Sequence, residues 1–127
     1  MPNSQLYDAV NPPGFRKVNS AGRVTQSAAS TTTRIHQVGT GKTAIITKIW
    51  VVNTGTIAVN VNIGDTADGT TAGAFTQRLP TINLVGGETR YITENDIPLY
   101  EFNATNNILF QLSAASACEI MIDVAEK

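Results

Sequence analysis

Few residues in this chain have side chains suited to chemistry. His36 is the sole histidine and Cys118 the sole cysteine. A lone imidazole cannot build a metal site that needs several nitrogen ligands. It lies in Arg34-Ile35-His36-Gln37-Val38, a strand-like stretch, and reads as a surface or hydrogen-bonded structural histidine. Cys118 is in phase with Ile120 and Ile122, with no adjacent base to activate it, so it reads as a small buried hydrophobe. No Gly-x-Ser-x-Gly elbow is present. Gly39-Thr40-Gly41-Lys42-Thr43 ends like a phosphate-binding loop, but His36 stands where that motif needs its first glycine, and strand-like residues follow; a hairpin turn fits better. Asp65 and Asp68 offer Ca²⁺ two carboxylates in a small-residue loop that lacks the further acids of a tight site. Glu94 and Asp96 sit on a turn, where capping is the simpler role. No catalytic, cofactor-binding or metal-ligating residue is assigned.

The elements that would position these groups are strands. From residue 23 onward, alternating apolar stretches are divided by Gly, Asn and Pro signals. Thr32–Val38 is followed by Thr43–Asn53, which is apolar on both faces and so is expected to be central and covered on both sides. Ile57, Val59, Val61 and Ile63 alternate with polar or small residues, and Gly64 to Gly73 reads as a loop. Phe75–Leu79 and Thr81–Val85, broken at Pro80, suit an edge. Gly86-Gly87 leads by a tight turn into Glu88–Thr93, and Asp96–Phe102 reads as one helical turn. Ile108–Leu112 and Cys118–Val124 are expected to pair as a closing hairpin. The count is about eight strands, which points to a single eight-stranded antiparallel jelly-roll-like sandwich over residues 23–127. An immunoglobulin-like sandwich, with Trp50 as its core aromatic, is the alternative.

Residues 1–22 differ. Asn11-Pro12-Pro13-Gly14 enforces extended or turn conformation. The apolar residues around it follow no period, so the stretch reads as an extended N-terminal arm that docks on something. Its candidate anchors are Leu6, Tyr7, Val10 and Phe15, stiffened by Pro12 and Pro13, with Arg16, Lys17 and Arg23 to meet acidic groups. A first strand folded back on its own sandwich is the competing reading.

Composition agrees with a single β-rich domain of 127 residues, 42% hydrophobic and only 15% charged, with 22 Ile and Val. Residues 1–42 carry five cations and one acid, residues 43–127 four cations and nine acids, which sums to the net −1. With Arg16-Lys17 the only basic cluster, nucleic-acid binding is not supported. A single cysteine excludes a disulfide scaffold. No apolar run approaches the roughly 18 residues of a membrane span, and the start lacks signal-peptide regions, so synthesis and folding in a cytoplasm are expected.

Gly41–Ile49 followed by Val51–Thr56, Val85–Thr89, the Asp96–Tyr100 turn, and the closing runs Ile108–Leu112 and Ile120–Val124 together resemble capsid decoration (cement) and related accessory β-sandwich proteins of tailed bacteriophages. The resemblance spans about residues 40–125 and rests on turn-and-strand patterns. It implies a jelly-roll domain in the virion, assembled in the host cytoplasm. It also implies a homotrimer seated on the major capsid protein or other virion subunits and anchored by an N-terminal arm. No functional residue of the family carries over singly. Two other uses stay open. A glycan- or receptor-binding fibre or tail module would need an exposed aromatic platform, for instance Trp50 beside Tyr91 or Tyr100. A pilus-like self-assembling subunit would donate its arm as a strand.

Overall fold

The apolar alternation is satisfied by two antiparallel sheets packed face to face. The computed structural model describes residues 14–18, 22–66 and 75–127. Among these lie ten strands: β1 (Arg16–Val18), β2 (Val24–Gln26), β3 (Thr32–Gln37), β4 (Ala44–Asn53), β5 (Val59–Thr66), β6 (Thr76–Gln77), β7 (Ile82–Leu84), β8 (Thr89–Ile92), β9 (Asn107–Leu112) and β10 (Cys118–Glu126). No helix occurs among the described residues. One sheet runs β1-β10-β4-β8, with β2 also on β10; the other runs β3-β9-β5-β6, with β7 also on β5. The chain is thus an all-β sandwich.

Side chains from both inner faces form one core. Ile49 and Val51 on β4 and Ile120 and Val124 on β10 meet Val61 and Ile63 on β5 and Ile108 and Phe110 on β9. Asn60 is exposed on the other face of β5, as its alternation requires. Pro80 separates β6 from β7, and both lie on the outer edge of β5, where a missing N–H costs no ladder bond.

Four sequence expectations are corrected. β9 and β10 do not form a hairpin: β9 pairs with β3 and β5, β10 with β4, β1 and β2, so the Ser113–Ala117 link crosses between sheets. The Gly39–Thr43 turn likewise joins strands of opposite sheets rather than a hairpin, although Lys42 N–H does close it on Gly39 C=O at 3.1 Å. Asp96–Phe102 is not a helical turn. Asp96 instead closes a turn, its N–H donating to Thr93 C=O at 2.9 Å, and Phe102 exchanges both backbone hydrogen bonds with Ala44, at 3.0 and 2.7 Å. Gly64–Thr66 is strand, not loop. A Cβ on Gly64 would lie 1.9 Å from Thr76 C=O, so the glycine lets β6 approach there.

The long β4 is covered on both sides only over its first half. Its register against β10 shifts between Ile46, opposite Val124, and Lys48, opposite Asp123, leaving Thr47 as the extra residue of a bulge. Ala44 and Ile46 face the core before the bulge, Ile49 and Val51 after it. Ile45 therefore lies on the outer side, covered by Phe15 and Ala125. Trp50 and Lys48, beyond the bulge, are half-buried on that outer side.

The inter-sheet links converge on Asn53, fully buried at the end of β4. Its amide donates to Ile57 C=O at 2.7 Å and Val85 C=O at 3.2 Å. Its carbonyl oxygen accepts from Gly55 N–H at 3.0 Å and Ser116 Oγ at 2.6 Å. Three connections are thus tied by one side chain whose hydrogen-bonding capacity is met. Asn53→Ala removes four hydrogen bonds at once, one of them to the buried Ser116, so a loss of about 2–4 kcal/mol is expected in denaturant unfolding.

Candidate binding surface

The polar groups singled out by type are engaged in bonds between elements of the sandwich. His36 Nε2 lies 2.7 Å from Glu126 Oε2, with the two side chains 11% and 10% exposed, joining β3 to β10 across the sandwich. The same carboxylate accepts from Gly39 N–H at 3.3 Å. Asp65 is buried, one oxygen accepting from Arg78 Nε at 2.9 Å and the other from Asn106 Nδ2 at 3.3 Å. The Asp65 hydrogen bond raises the Arg78 pKa further, so the guanidinium stays charged at every ordinary pH. With its oxygens held by these donors, Asp65 is poorly placed as a Ca²⁺ ligand, and Asp68 lies outside the described residues. No group of three or more His, Cys, Asp or Glu side chains suited to a metal ion occurs among the described residues. Cys118 is buried, and desolvation pushes its thiol pKa up, which disfavours the thiolate. The folded protein is therefore expected to resist thiol alkylation at neutral pH; labelling that matches the unfolded chain would contradict this.

The arm residues separate into two sets. Leu6, Tyr7, Val10, Pro12 and Pro13 lie outside the described residues. Phe15, expected to anchor in a partner, is instead only 3% exposed in its own chain, packed with Ile45 and Ala125 and with Lys127 Nζ 5.5 Å from its ring centre. Arg16 and Lys17 belong to β1, paired antiparallel with Glu126 and Ala125. For Lys17 and Arg23, acids of the kind expected in a neighbour occur on their own sheet. Lys17 Nζ is 3.7 Å from Asp123, and Arg23 is 3.5 Å from Glu119 with its guanidinium 5.1 Å from the Trp50 ring centre. These exposed pairs are each worth under about 1 kcal/mol.

Among the described residues, two apolar surfaces stand out. The first is a cross-strand row on the outer side of the β4 sheet, with Met121 opposite Trp50 and Trp50 opposite Tyr91. Tyr91 is 59% and Met121 38% exposed, so Trp50 does stand beside an exposed Tyr91. Lys48, Ile122 and Asp123 complete a shallow depression of about 60 Å³ around the row. Alternation on a one-sided strand signals a wet face, but this face could not be assigned to Trp50 from the sequence, because the bulge at Thr47 sets the phase.

The second is a groove of about 330 Å³ where the two sheets part beside β8. Ile49, Ile92 and Ile97 line one bank and Leu79 and Ile82 the other, with Arg90 and Asp96 as its charged groups. Arg90 Nη2 also holds Glu88 at 2.6 Å, and this bond, helped by Val85 N–H, lowers the Glu88 pKa. The groove mixes residues from 49 to 98, which no local pattern brings together.

No protein-family model matches the chain, and no curated protein is similar to it.

Truncating Phe15 separates its two possible roles. Because it is buried in its own chain, Phe15→Ala is expected to cost about 2–3 kcal/mol of folding stability in the isolated protein. An unchanged unfolding curve would return Phe15 to a partner.

Proposed function

We propose that this protein is a non-enzymatic structural component of a tailed-phage virion, a decoration protein attached through its N-terminal arm and through contacts between copies, in a trimer. The pairing order of the strands carries this reading. β1 with β2, and β6 with β7, share single positions on the edges of β10 and β5, which reduces the sandwich to eight positions. The first then pairs with the last (β10), β3 with β9, β4 with β8, and β5 with the β6/β7 position, every pair antiparallel. That order, with the contacts β10 with β4 and β9 with β5, is the one a long antiparallel ribbon wrapped into a jelly roll would have, and it supports that reading of the sandwich. An immunoglobulin-like sandwich would pair its first two strands in one sheet; here β2 and β3 lie in opposite sheets.

Function follows from how the polar groups are used. His36, Asp65 and Asn53 are held in bonds that join strands and sheets, so the reading needs no reacting group. A decoration protein requires only complementary surfaces, and a trimer multiplies weak contacts into firm retention. The weakly charged exterior suits such packing, since few charges must be desolvated. β1 and Phe15 are engaged with their own sandwich, so the reading assigns attachment to the residues before them.

The test is removal of residues 2–13, which keeps β1 and Phe15. The truncated chain is expected to keep its unfolding midpoint and to stop co-sedimenting with purified capsids that retain the full chain. Undiminished capsid binding, or absence of the protein from purified virions, would sink the reading.

A further inference from the structure

We propose that the outer face of the β4 sheet binds an acidic sugar, its ring laid on Tyr91 and its carboxylate on Lys48. The inference goes beyond the virion reading and does not depend on it. It starts from what surrounds Trp50. Met121, Trp50 and Tyr91 stand side by side across β10, β4 and β8, and in the next row along β4 Lys48 stands opposite Asp123. These five side chains, with Ile122, line one shallow depression.

Charge sets the first requirement. Around the row lie three cations, Lys17, Arg23 and Lys48, and two acids, Glu119 and Asp123. Lys17 is 3.7 Å from Asp123 and Arg23 is 3.5 Å from Glu119. Lys48 is half-buried, and among the described residues it has no ion pair and no side-chain hydrogen bond. A half-buried ammonium has already lost part of its hydration, so an anion brought to it is favoured. Asp123 meets Lys17 through Oδ2, which leaves Oδ1 to accept from a hydroxyl.

Size sets the second. The depression holds about 60 Å³, far below the roughly 300 Å³ at which sites begin to enclose an organic ligand. In extent, three strands about 4.8 Å apart and two side-chain rows about 7 Å apart give about 200 Å², roughly a quarter of what one protein partner covers. The ligand is therefore small and lies on the face rather than in it.

Tyr91 sets the third. It is 59% exposed, whereas Trp50 is half-buried with the Arg23 guanidinium 5.1 Å from its ring centre. Tyr91 thus offers the accessible ring. The negative face of an aromatic ring attracts the C–H groups on the apolar side of a sugar. The hydroxyl rim of the sugar meanwhile stays in water, so covering Tyr91 costs little desolvation. Lys48 is the diagonal cross-strand neighbour of Tyr91, roughly 7–8 Å away between backbones. One ring with a carboxylate at its edge spans that distance. A neutral sugar would leave Lys48 unpaired, and a simple anion would leave Tyr91 uncovered.

Trp50 is the sole tryptophan, so its fluorescence reports on this face. The full-length protein is titrated with oligogalacturonate, hyaluronan fragments and sialyllactose, and binding is followed by fluorescence and by calorimetry. At least one of them is expected to bind saturably, with a Kd of about 0.1–10 mM. Its carboxylate methyl ester, which keeps the hydroxyls and loses the charge, is expected to bind about three- to tenfold more weakly. Lys48→Gln should make acid and ester equal. Tyr91→Ala should weaken both by about tenfold or more, while Tyr91→Phe keeps the ring and the binding. Tyr91 is exposed, so the unfolding midpoint is expected to stay unchanged in both variants, and the comparison of acid with ester needs no variant at all. The proposal is overturned by no saturable binding of any probe, by equal binding of acid and ester, or by an acid preference that survives Lys48→Gln. Binding that survives Tyr91→Ala, or is lost equally in Tyr91→Phe, overturns it as well. None of these measurements uses capsids, so their failure leaves the virion reading standing, and failed capsid binding leaves this one standing.

Discussion

The surface of this sandwich depends on one extra residue in β4. Thr47 interrupts the register against β10, and its hydroxyl donates to Asp123 C=O at 3.3 Å. Because strand side chains alternate with period two, one inserted residue exchanges the faces of all that follow. Before Thr47 the core receives Ala44 and Ile46; after it, Ile49 and Val51. Trp50 is thereby put on the outer side between Met121 and Tyr91, and Ile45 on the same side under Phe15. Had the register continued unbroken, Lys48 and Trp50 would point inward and Ile49 and Val51 outward. A lysine in the core would be costly, so the bulge reconciles an apolar segment with a single inner face.

The second constraint is the crossing of the chain between sheets. Links before and after β4, and those after β7 and β9, all pass from one layer to the other. Each crossing exposes backbone groups that no ladder satisfies. Asn53 and Ser116 serve three of these links at one end of β4. At the other end of β4 sit the Ala44–Phe102 bridge and the bonds between Thr43 and Lys127, with His36 and Glu126 joining the layers nearby. The side chains that first suggest chemistry are thus occupied in holding a two-layer fold whose links are long-range. Its weakly charged exterior, with exposed pairs such as Arg23–Glu119 and Lys17–Asp123, leaves the apolar row and the groove as the distinctive outer features.

The strands themselves were legible because their signal is local. Val59, Val61 and Ile63 announce a one-sided strand, and Pro80 announces an edge, without reference to the rest of the chain. The errors all concern partners. Ile108–Leu112 and Cys118–Val124 look like a hairpin because a short turn separates two alternating runs, yet each finds its neighbours far away in sequence. Asp96–Phe102 carries helix-start residues, but the bridge between Phe102 and Ala44 overrides so weak a local preference. Asp65 read as loop, since Gly64 is usually a breaker; it is a strand glycine because β6 lies against it. Arg16–Val18 read as arm, since three residues carry no periodicity of their own and take their strand form from β10.

What the sequence by itself determined is the class of fold and the poverty of reactive groups. β-branched residues, alternation and turn signals are properties of neighbours along the chain, and a single histidine and a single cysteine are matters of counting. What only the tertiary structure decided is which strands meet, which face of β4 is inner, and which polar groups are already partnered. Those depend on pairings between residues up to 110 positions apart, as between Arg16 and Glu126. Local preferences contribute tenths of a kcal/mol per residue, whereas burial in a shared core contributes kcal/mol per side chain. Core burial therefore chooses the partners, and with them the surface that the molecule presents.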